Sequence, residues 1–419
     1  MGIVISGGRV YDPLNGQFGV ERDVYIEGDI IVDRCGDPQR VIDAQNKSVL
    51  PAGIDICSHV AAFGLNLTRY IDEFPLADEI SALYNRAGYL HINEPHMTVS
   101  TADYVQRELS FLSNVETSAS LVLDLRDFWR EIKRGFDQQA GEILGALLES
   151  TGACGLGVNQ SSVEYDQMWY RQRNVKSDAF FRFFGAFAEG RGCRIMMEIA
   201  AGDFPFDAIE DPAGFHLNCR GADWDDALSD RRLIDLMAKG LSLGISSDDI
   251  WGPMEVSIGA CNFGEDLNFG VGLVNPLTIS SASGSFEIKA MNALDFLLQA
   301  SPEAICFSPG SPHRDVLAGY SKILAWLLRS SLRPVSRSGD FPPREYSISD
   351  VAMITSSNPA KVLGLKNEGH LSKGALARVA IYDFDEKTPD AALEGKLGLC
   401  RYLIRGEHVL VDDFEVEGS

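Results

Sequence analysis

Long apolar runs, a surplus of positive charge, paired cysteines and a leader-like N-terminus are all missing from this sequence, and each absence removes a class of function. No run approaches the ~18–20 apolar residues that a membrane span needs. Positive charge is in deficit: 37 Lys and Arg face 60 Asp and Glu, a net charge of −23. A surface of that sign repels phosphate backbones and anionic lipid, so the expected partners include neither nucleic acid nor a membrane. Eight cysteines stand at positions 35, 57, 154, 193, 219, 261, 306 and 400, with no Cys-x-x-Cys pair and no framework of spacings. In a chain this long, that pattern predicts reduced, mostly buried thiols and a cytoplasmic location. The N-terminus, Met1-Gly2-Ile3-Val4-Ile5-Ser6-Gly7-Gly8, has no basic region and no cleavable apolar stretch, and reads as a strand and a turn. Gly2 and Ser6 fit a myristoylation pattern, but a buried strand beginning at Ile3 speaks against that use.

What is present is an ordinary globular composition: 419 residues, 45% hydrophobic and 23% charged. That length allows two or three domains, or one barrel with an appendage. Residues 1–50 read as short strands. Ile3–Ile5 and Arg9–Tyr11 flank Gly7-Gly8 as a hairpin signal, and Val24–Ile26 and Ile30–Val32 flank a second turn. Val379–Tyr382, Arg401–Ile404 and His408–Val411 repeat this grammar at the far end. Isolated hairpins need a partner sheet, so the two ends predict one composite β domain, 1–50 with 375–419. Residues 51–374 alternate strand-like runs (120–124, 194–198, 304–307) with helical stretches (101–111, 233–239, 288–299, 320–332). Ser347 is an expected N-cap for a helix over 348–356, followed by a short helix from Asn358-Pro359 to Gly364. Residues 333–344, rich in Ser, Arg and Pro, predict a surface loop. Alternating β and α over this length predicts a parallel α/β barrel.

The stretch Val41-Ile42-Asp43-Ala44 through Leu50-Pro51-Ala52-Gly53-Ile54-Asp55-Ile56-Cys57-Ser58-His59 resembles the approach to barrel strand 1 in the amidohydrolase superfamily. Ser357-Asn358-Pro359-Ala360-Lys361, Gly364, Gly369-His370-Leu371, Gly374 and Val379-Ala380 resemble its closing signature. Ala87–Tyr89 with Asn93–Pro95, Leu156–Asn159, Pro312 with Tyr320–Trp326, and Tyr346–Thr355 narrow the resemblance. They are similar to the family that supplies the amidohydrolase component (the A component) of formylmethanofuran dehydrogenase and its relative in the bacterial formyltransferase/hydrolase complex. The similarity covers most of the chain, is patchy between about 160 and 260, and implies that this chain is shorter than typical members in the second half of the barrel. It implies a distorted TIM-like (β/α)8 barrel plus the composite β domain, and partners among the other subunits of a formyl-transfer complex, or a second copy of the chain.

The resemblance also implies a two-metal hydrolase, whose ions lower the pKa of a bridging water and polarise an N-formyl carbonyl. The family's ligands are imidazoles, carboxylates and a carboxylated lysine at the C-terminal ends of barrel strands. Here the His-x-His pair becomes Cys57-Ser58-His59, the lysine position falls on or beside Gly157, the strand-5 position falls on Asn218 of His216-Leu217-Asn218-Cys219, and the strand-8 aspartate position falls on Gly310. No histidine occurs between 217 and 312, and Asp315 lies on the wrong part of its loop. The expectation is a structural pseudoenzyme of one-carbon metabolism that needs no cofactor. Whether the chain is an enzyme stays open between that reading and two alternatives. One is an active N-formyl hydrolase with a mononuclear or rewired zinc site on Cys57, His59, His216 and Cys219. The other is a non-catalytic protein that binds the furan carrier, against which the negative charge weighs.

Other features have plainer readings. His91, His96 and His313 are expected near loops, with Glu94-Pro95-His96 at a turn or cavity rim. Cys306 belongs to a packed strand. The aromatic run from Met168 to Phe184 reads as helix packing or as an intersubunit contact, since aromatics and Arg are enriched at interfaces. The acids 223–226 and 246–249 read as a solvated face without the regular spacing of a Ca²⁺ loop.

Overall fold

The computed structural model describes residues 2–61, 76–123, 137–158, 177–199, 209–219, 231–246, 294, 297–310, 314–333 and 344–412. The chain starts with five strands: β1 (Gly2–Asp12), β2 (Gln17–Glu27), β3 (Ile30–Val32), β4 (Arg40–Asp43) and β5 (Ser48–Pro51). Eight further strands follow: β6 (Gly53–Asp55), β7 (Tyr89–Met97), β8 (Glu116–Leu123), β9 (Gly155–Val158), β10 (Ile195–Ile199), β11 (Phe215–Cys219), β12 (Ser242–Ser246) and β13 (Ile305–Ser308). Between and after them lie helices α1 (Ala77–Arg86), α2 (Ala102–Leu109), α3 (Gln138–Thr151), α4 (Ser177–Arg191), α5 (Arg231–Ala238), α6 (Arg314–Leu328), α7 (Ile348–Ala352) and α8 (Asn358–Leu363). The end of the described chain adds β14 (Arg378–Tyr382), α9 (Asp390–Leu397), β15 (Cys400–Arg405) and β16 (His408–Val411).

Two sheets result. One runs β16-β15-β14-β5-β1-β2-β3, with β4 also on β1, so strands from both ends of the chain share one sheet. Its core is aliphatic: Ile5, Val10, Ile26, Val49, Val379, Ile381 and Ile404 are buried together. The hairpin between Val24–Ile26 and Ile30–Val32 forms as read, with Ile26 opposite Ile31. The hairpin at Gly7-Gly8 does not. Both of its flanks lie in β1 and pair with the same strand, β2, with a register shift between Ile5 and Gly8. Gly7 sits at φ +67°, and the Asp23 carboxylate accepts from the Gly7 N–H at 2.9 Å and the Ser6 hydroxyl at 3.2 Å. A glycine with positive φ serves a bulge as well as a turn; here a side chain satisfies the donors that a reversal would have paired.

The other sheet is parallel throughout and runs β6 through β13 in chain order, as a nearly closed barrel. Among the described residues no ladder joins β13 to β6. The seam is bridged instead by the Gly310 N–H, which donates to Asp55 Oδ2 at 3.1 Å. The sheath is apolar: Phe180, Phe181 and Phe184 of α4 are buried, as packing predicts, and Phe181 meets Phe215 edge to face. Cys306 is buried in β13, and burial pushes its thiol up to about 12. Ser347 caps α7 with Asp350 in a reciprocal box, but α7 then continues through a π-helical turn (Met353–Ser357) into α8 instead of breaking, and Gly364 ends it in the left-handed conformation. Asn358 of α8 donates to the carbonyls of Pro302 and Ile305 at 2.8 and 2.7 Å. Those groups precede or begin β13, so α8 sits at the N-terminal end of the barrel and leaves the opposite end for a site. The predicted 333–344 loop lies almost wholly outside the described residues, as do Met168–Arg173 and Asp223–Asp226. Among the described residues no helix is long and apolar enough to cross a membrane.

Candidate functional site

The C-terminal mouth begins with Asp55, the last residue of β6. Its carboxyl is fully buried and accepts from the Cys57 N–H at 2.9 Å, the Tyr84 hydroxyl at 2.8 Å and Gly310 across the seam. Burial raises its pKa, and those hydrogen bonds work against the rise. Asn93 of β7 holds the next residues: its Nδ2 donates to the Ile56 carbonyl at 3.0 Å, and its backbone carbonyl accepts from Ser58 N–H at 3.1 Å and Ser58 Oγ at 2.8 Å. Backbone 56–58 is thereby fixed on both sides.

Cys57 and His59 sit on this fixed segment, with Cys57 Sγ 3.3 Å from His59 Nε2. His59 is buried at φ +52°, a conformation uncommon for residues other than glycine. Its ring stacks on His96, with centroids 5.1 Å apart and planes 19° from parallel. His91 and His96 are not on loops. Both lie within β7, a nine-residue strand through Met97 whose pairing to β8 shifts register between Glu94 and Met97. Glu94 is fully buried and accepts from Ala61 N–H at 2.9 Å and His96 N–H at 3.1 Å, so it ties the segment after His59 to the backbone of His96. His91 points toward the other end of the strand and contacts Glu368 at 3.1 Å and Ser118 Oγ at 2.9 Å. His313 lies outside the described residues.

The far side of the mouth differs. Pro95, His96, Val122, Gly157, Met196 and Asn218 line one narrow cleft. Gly157 and Asn218, on the two strands that flank β10, line the same cleft, but Gly157 offers no donor, and a Cβ added there would lie 3.3 Å from Val122 Cγ2. Asn218 Oδ1 is occupied by His216 Nε2 at 3.0 Å, while His216 Nδ1 meets Ser242 Oγ at 2.8 Å. Both ring nitrogens of His216 are engaged inside the barrel, and burial, aided by the nearby Arg194 charge, pushes its pKa down to about 3. Gly244 makes room for this pair: a Cβ at 244 would lie 2.4 Å from Asn218 Oδ1 and 2.6 Å from His216 Nε2. Gly310, at φ +82°, supplies only its N–H, to Asp55. The Cys219 side chain lies outside the described residues.

Of the four residues in the rewired set, Cys57 and His59 are brought together, and His216 is spent on Ser242 and Asn218. Among the described residues no group of three or more His, Cys, Asp or Glu side chains is arranged to hold a metal ion. The side chains at 157, 218 and 310 do not fit the paired-metal centre that the resemblance implies. Asp55 and Asn93 are not among the site residues expected from the sequence, and Glu94, expected at a turn or cavity rim, is instead buried inside β7. Their signal was present only as polar residues inside apolar strand runs.

No protein-family model matches the chain. It is 22% identical to protein FwdA of Methanocaldococcus jannaschii, over 99% of this chain and 89% of FwdA. It is 24% identical to the A component of the formyltransferase/hydrolase complex Fhc of Methylorubrum extorquens, over 98% of this chain and 88% of that protein. Among solved structures, the FhcABCD complex of Methylorubrum extorquens, determined with methylofuran, superposes with a TM-score of 0.74 at 19% identity, covering 99% of this chain and 89% of its counterpart. The zinc-complexed atrazine chlorohydrolase TrzN of Arthrobacter aurescens superposes at 0.55 and 14% identity, covering 98% and 95%. The fold is that of the amidohydrolase barrels.

Proposed function

We propose that this chain, a homologue of FwdA and of the Fhc A component with the amidohydrolase barrel, is the FwdA-like component of a formyl-transfer complex, with its barrel acting as a scaffold. In this reading the barrel holds no binuclear metal centre, and the composite domain 1–50 with 375–419 and the barrel 51–374 serve as a docking body for the other subunits. The observation that carries it is the chemistry of one side of the mouth: Gly157 and Gly310 have no side chain, and Asn218 Oδ1 is held by His216. Losing ligands there leaves the fold intact, because barrel stability resides in layered core side chains. The scattered cysteine spacing, with no Cys-x-x-Cys pair, favours a reducing, cytoplasmic setting.

Affinity purification of the tagged chain from its own cells tests the scaffold. Other subunits of a formyl-transfer complex should co-elute in fixed ratio. A chain that elutes alone, as a monomer, overturns the proposal. Elemental analysis of the same sample tests the metal half: two equivalents of a divalent metal per chain would restore the hydrolase reading.

A further inference from the structure

A scaffold has no use for a preorganised thiol–imidazole pair, yet one stands at the mouth. Cys57 Sγ is 3.3 Å from His59 Nε2, within reach for proton transfer to a base. The pair is held from several directions. Asp55 fixes the Cys57 amide, Asn93 fixes both flanking residues, and His96 fixes the plane of the His59 ring. Cys57 is half-buried, whereas Cys193, Cys306 and Cys400 are buried. Burial raises the thiols of Cys154 and Cys193 and pushes those of Cys306 and Cys400 to about 12, so these four are poor nucleophiles. His96, on which His59 stacks, also lines the narrow cleft with Pro95, Met196 and Asn218.

We propose that Cys57 is a nucleophile, with His59 as its base, toward a small activated acyl compound. Cys57 Sγ attacks the carbonyl carbon, the S–C bond forms and the bond from that carbon to the leaving group breaks. The thiol proton passes to His59 Nε2, the leaving group departs with the bonding electron pair, and a thioester remains on Cys57. No oxidant or reductant takes part. The inference rests on the scaffold reading in one respect, since a metal bound to this pair would occupy both atoms.

The probe is p-nitrophenyl acetate in excess over the full-length chain. The expected result is a burst of p-nitrophenolate of one equivalent per chain, with the acetyl group found by mass spectrometry on the Cys57 peptide. Cys57→Ser should abolish the burst. His59→Asn, chosen because asparagine tolerates positive φ, should slow it by about 10²–10⁴-fold, the usual worth of a positioned base, with an unchanged unfolding midpoint. Acetylation elsewhere, no burst, or an unaltered rate in His59→Asn overturns the inference. Because peptide mapping uses the unsubstituted chain, the result holds even if Cys57→Ser misfolds. Metal content separates the two readings. No burst from a metal-free chain removes the nucleophile and leaves the scaffold. Stoichiometric zinc released by Cys57→Ser removes both.

Discussion

On one side of the barrel mouth, β6 and β7 and the segments after them carry Asp55, Asn93, Glu94, Cys57 and His59, bound to one another and to backbone; on the other, β9, β11 and the turn after β13 carry Gly157, an Asn218 spent on His216, and Gly310. The two sides share one fold and one family pattern. They differ in what the side chains hold. In the first, buried polar groups position backbone, so removing one strands several partners. In the second, glycine offers no side chain, and nothing is left unpaired at 157 or 310. The polar groups of the first side thus hold the chain itself, whereas the second side leaves the chain to its ladders and to core packing.

Four substitutions or conditions strain this contrast, in descending order of expected effect. Asp55→Asn replaces an acceptor of four donors, Cys57, Tyr84, Gly310 and Ser308, by a group with donors of its own. It should cost about 3–5 kcal/mol in urea unfolding, the scale of a broken buried network; a cost below that of an ordinary surface change would erase the distinction between the two sides. His216 comes next. Its pKa of about 3 in the fold lies below the ordinary 6.5, so between these values the unfolded chain binds the extra proton. Its contribution is whole above pH ~6.5 and is lost as pH falls toward ~3, about 3 kcal/mol by pH ~4. His216→Gln should flatten the pH dependence of the unfolding midpoint in that window, and a profile that stays equally steep would assign it to other groups. Gly244→Ala should cost about 1–3 kcal/mol by pushing into the His216–Asn218 pair, and Asn218→Gly in the same chain should return part of it. If thermal unfolding of Gly244→Ala matches the unsubstituted chain, that side is looser than drawn. His96→Ala removes one stacked ring and should cost only about 0.5–1.5 kcal/mol, but should raise the deuterium exchange of the 57–59 amides.

The sequence made some of this legible. The composite sheet could be read because its strands are short, alternate in burial and are punctuated by turns at both ends, as at Glu27-Gly28-Asp29. The Ser347 cap was local and legible for the same reason. Gly7-Gly8 misled because turn and bulge draw on the same backbone freedom, and only the identity of the paired strand separates them. β7 was hidden because its interior is polar: His91, Asn93 and Glu94 interrupt the apolar run that marks a buried strand. Asp55 stood inside a quoted motif, yet its partner Gly310 lies 255 residues away, a distance at which no periodicity speaks. The neighbourhood of Cys57 and His59 could be read only as spacing, since the close approach of sulfur to nitrogen depends on a positive φ that histidine seldom adopts.

The bridge from Gly310 to Asp55 has a mechanical corollary. A ring of strands closed everywhere by ladders is joined rung by rung, whereas the first and last staves here meet through one carboxyl, Asp55, which takes a donor from Cys57 on its own edge and from Gly310 and Ser308 on the other. Loss of that one group therefore slackens both edges of the seam together, while the rungs elsewhere in the hoop keep their partners.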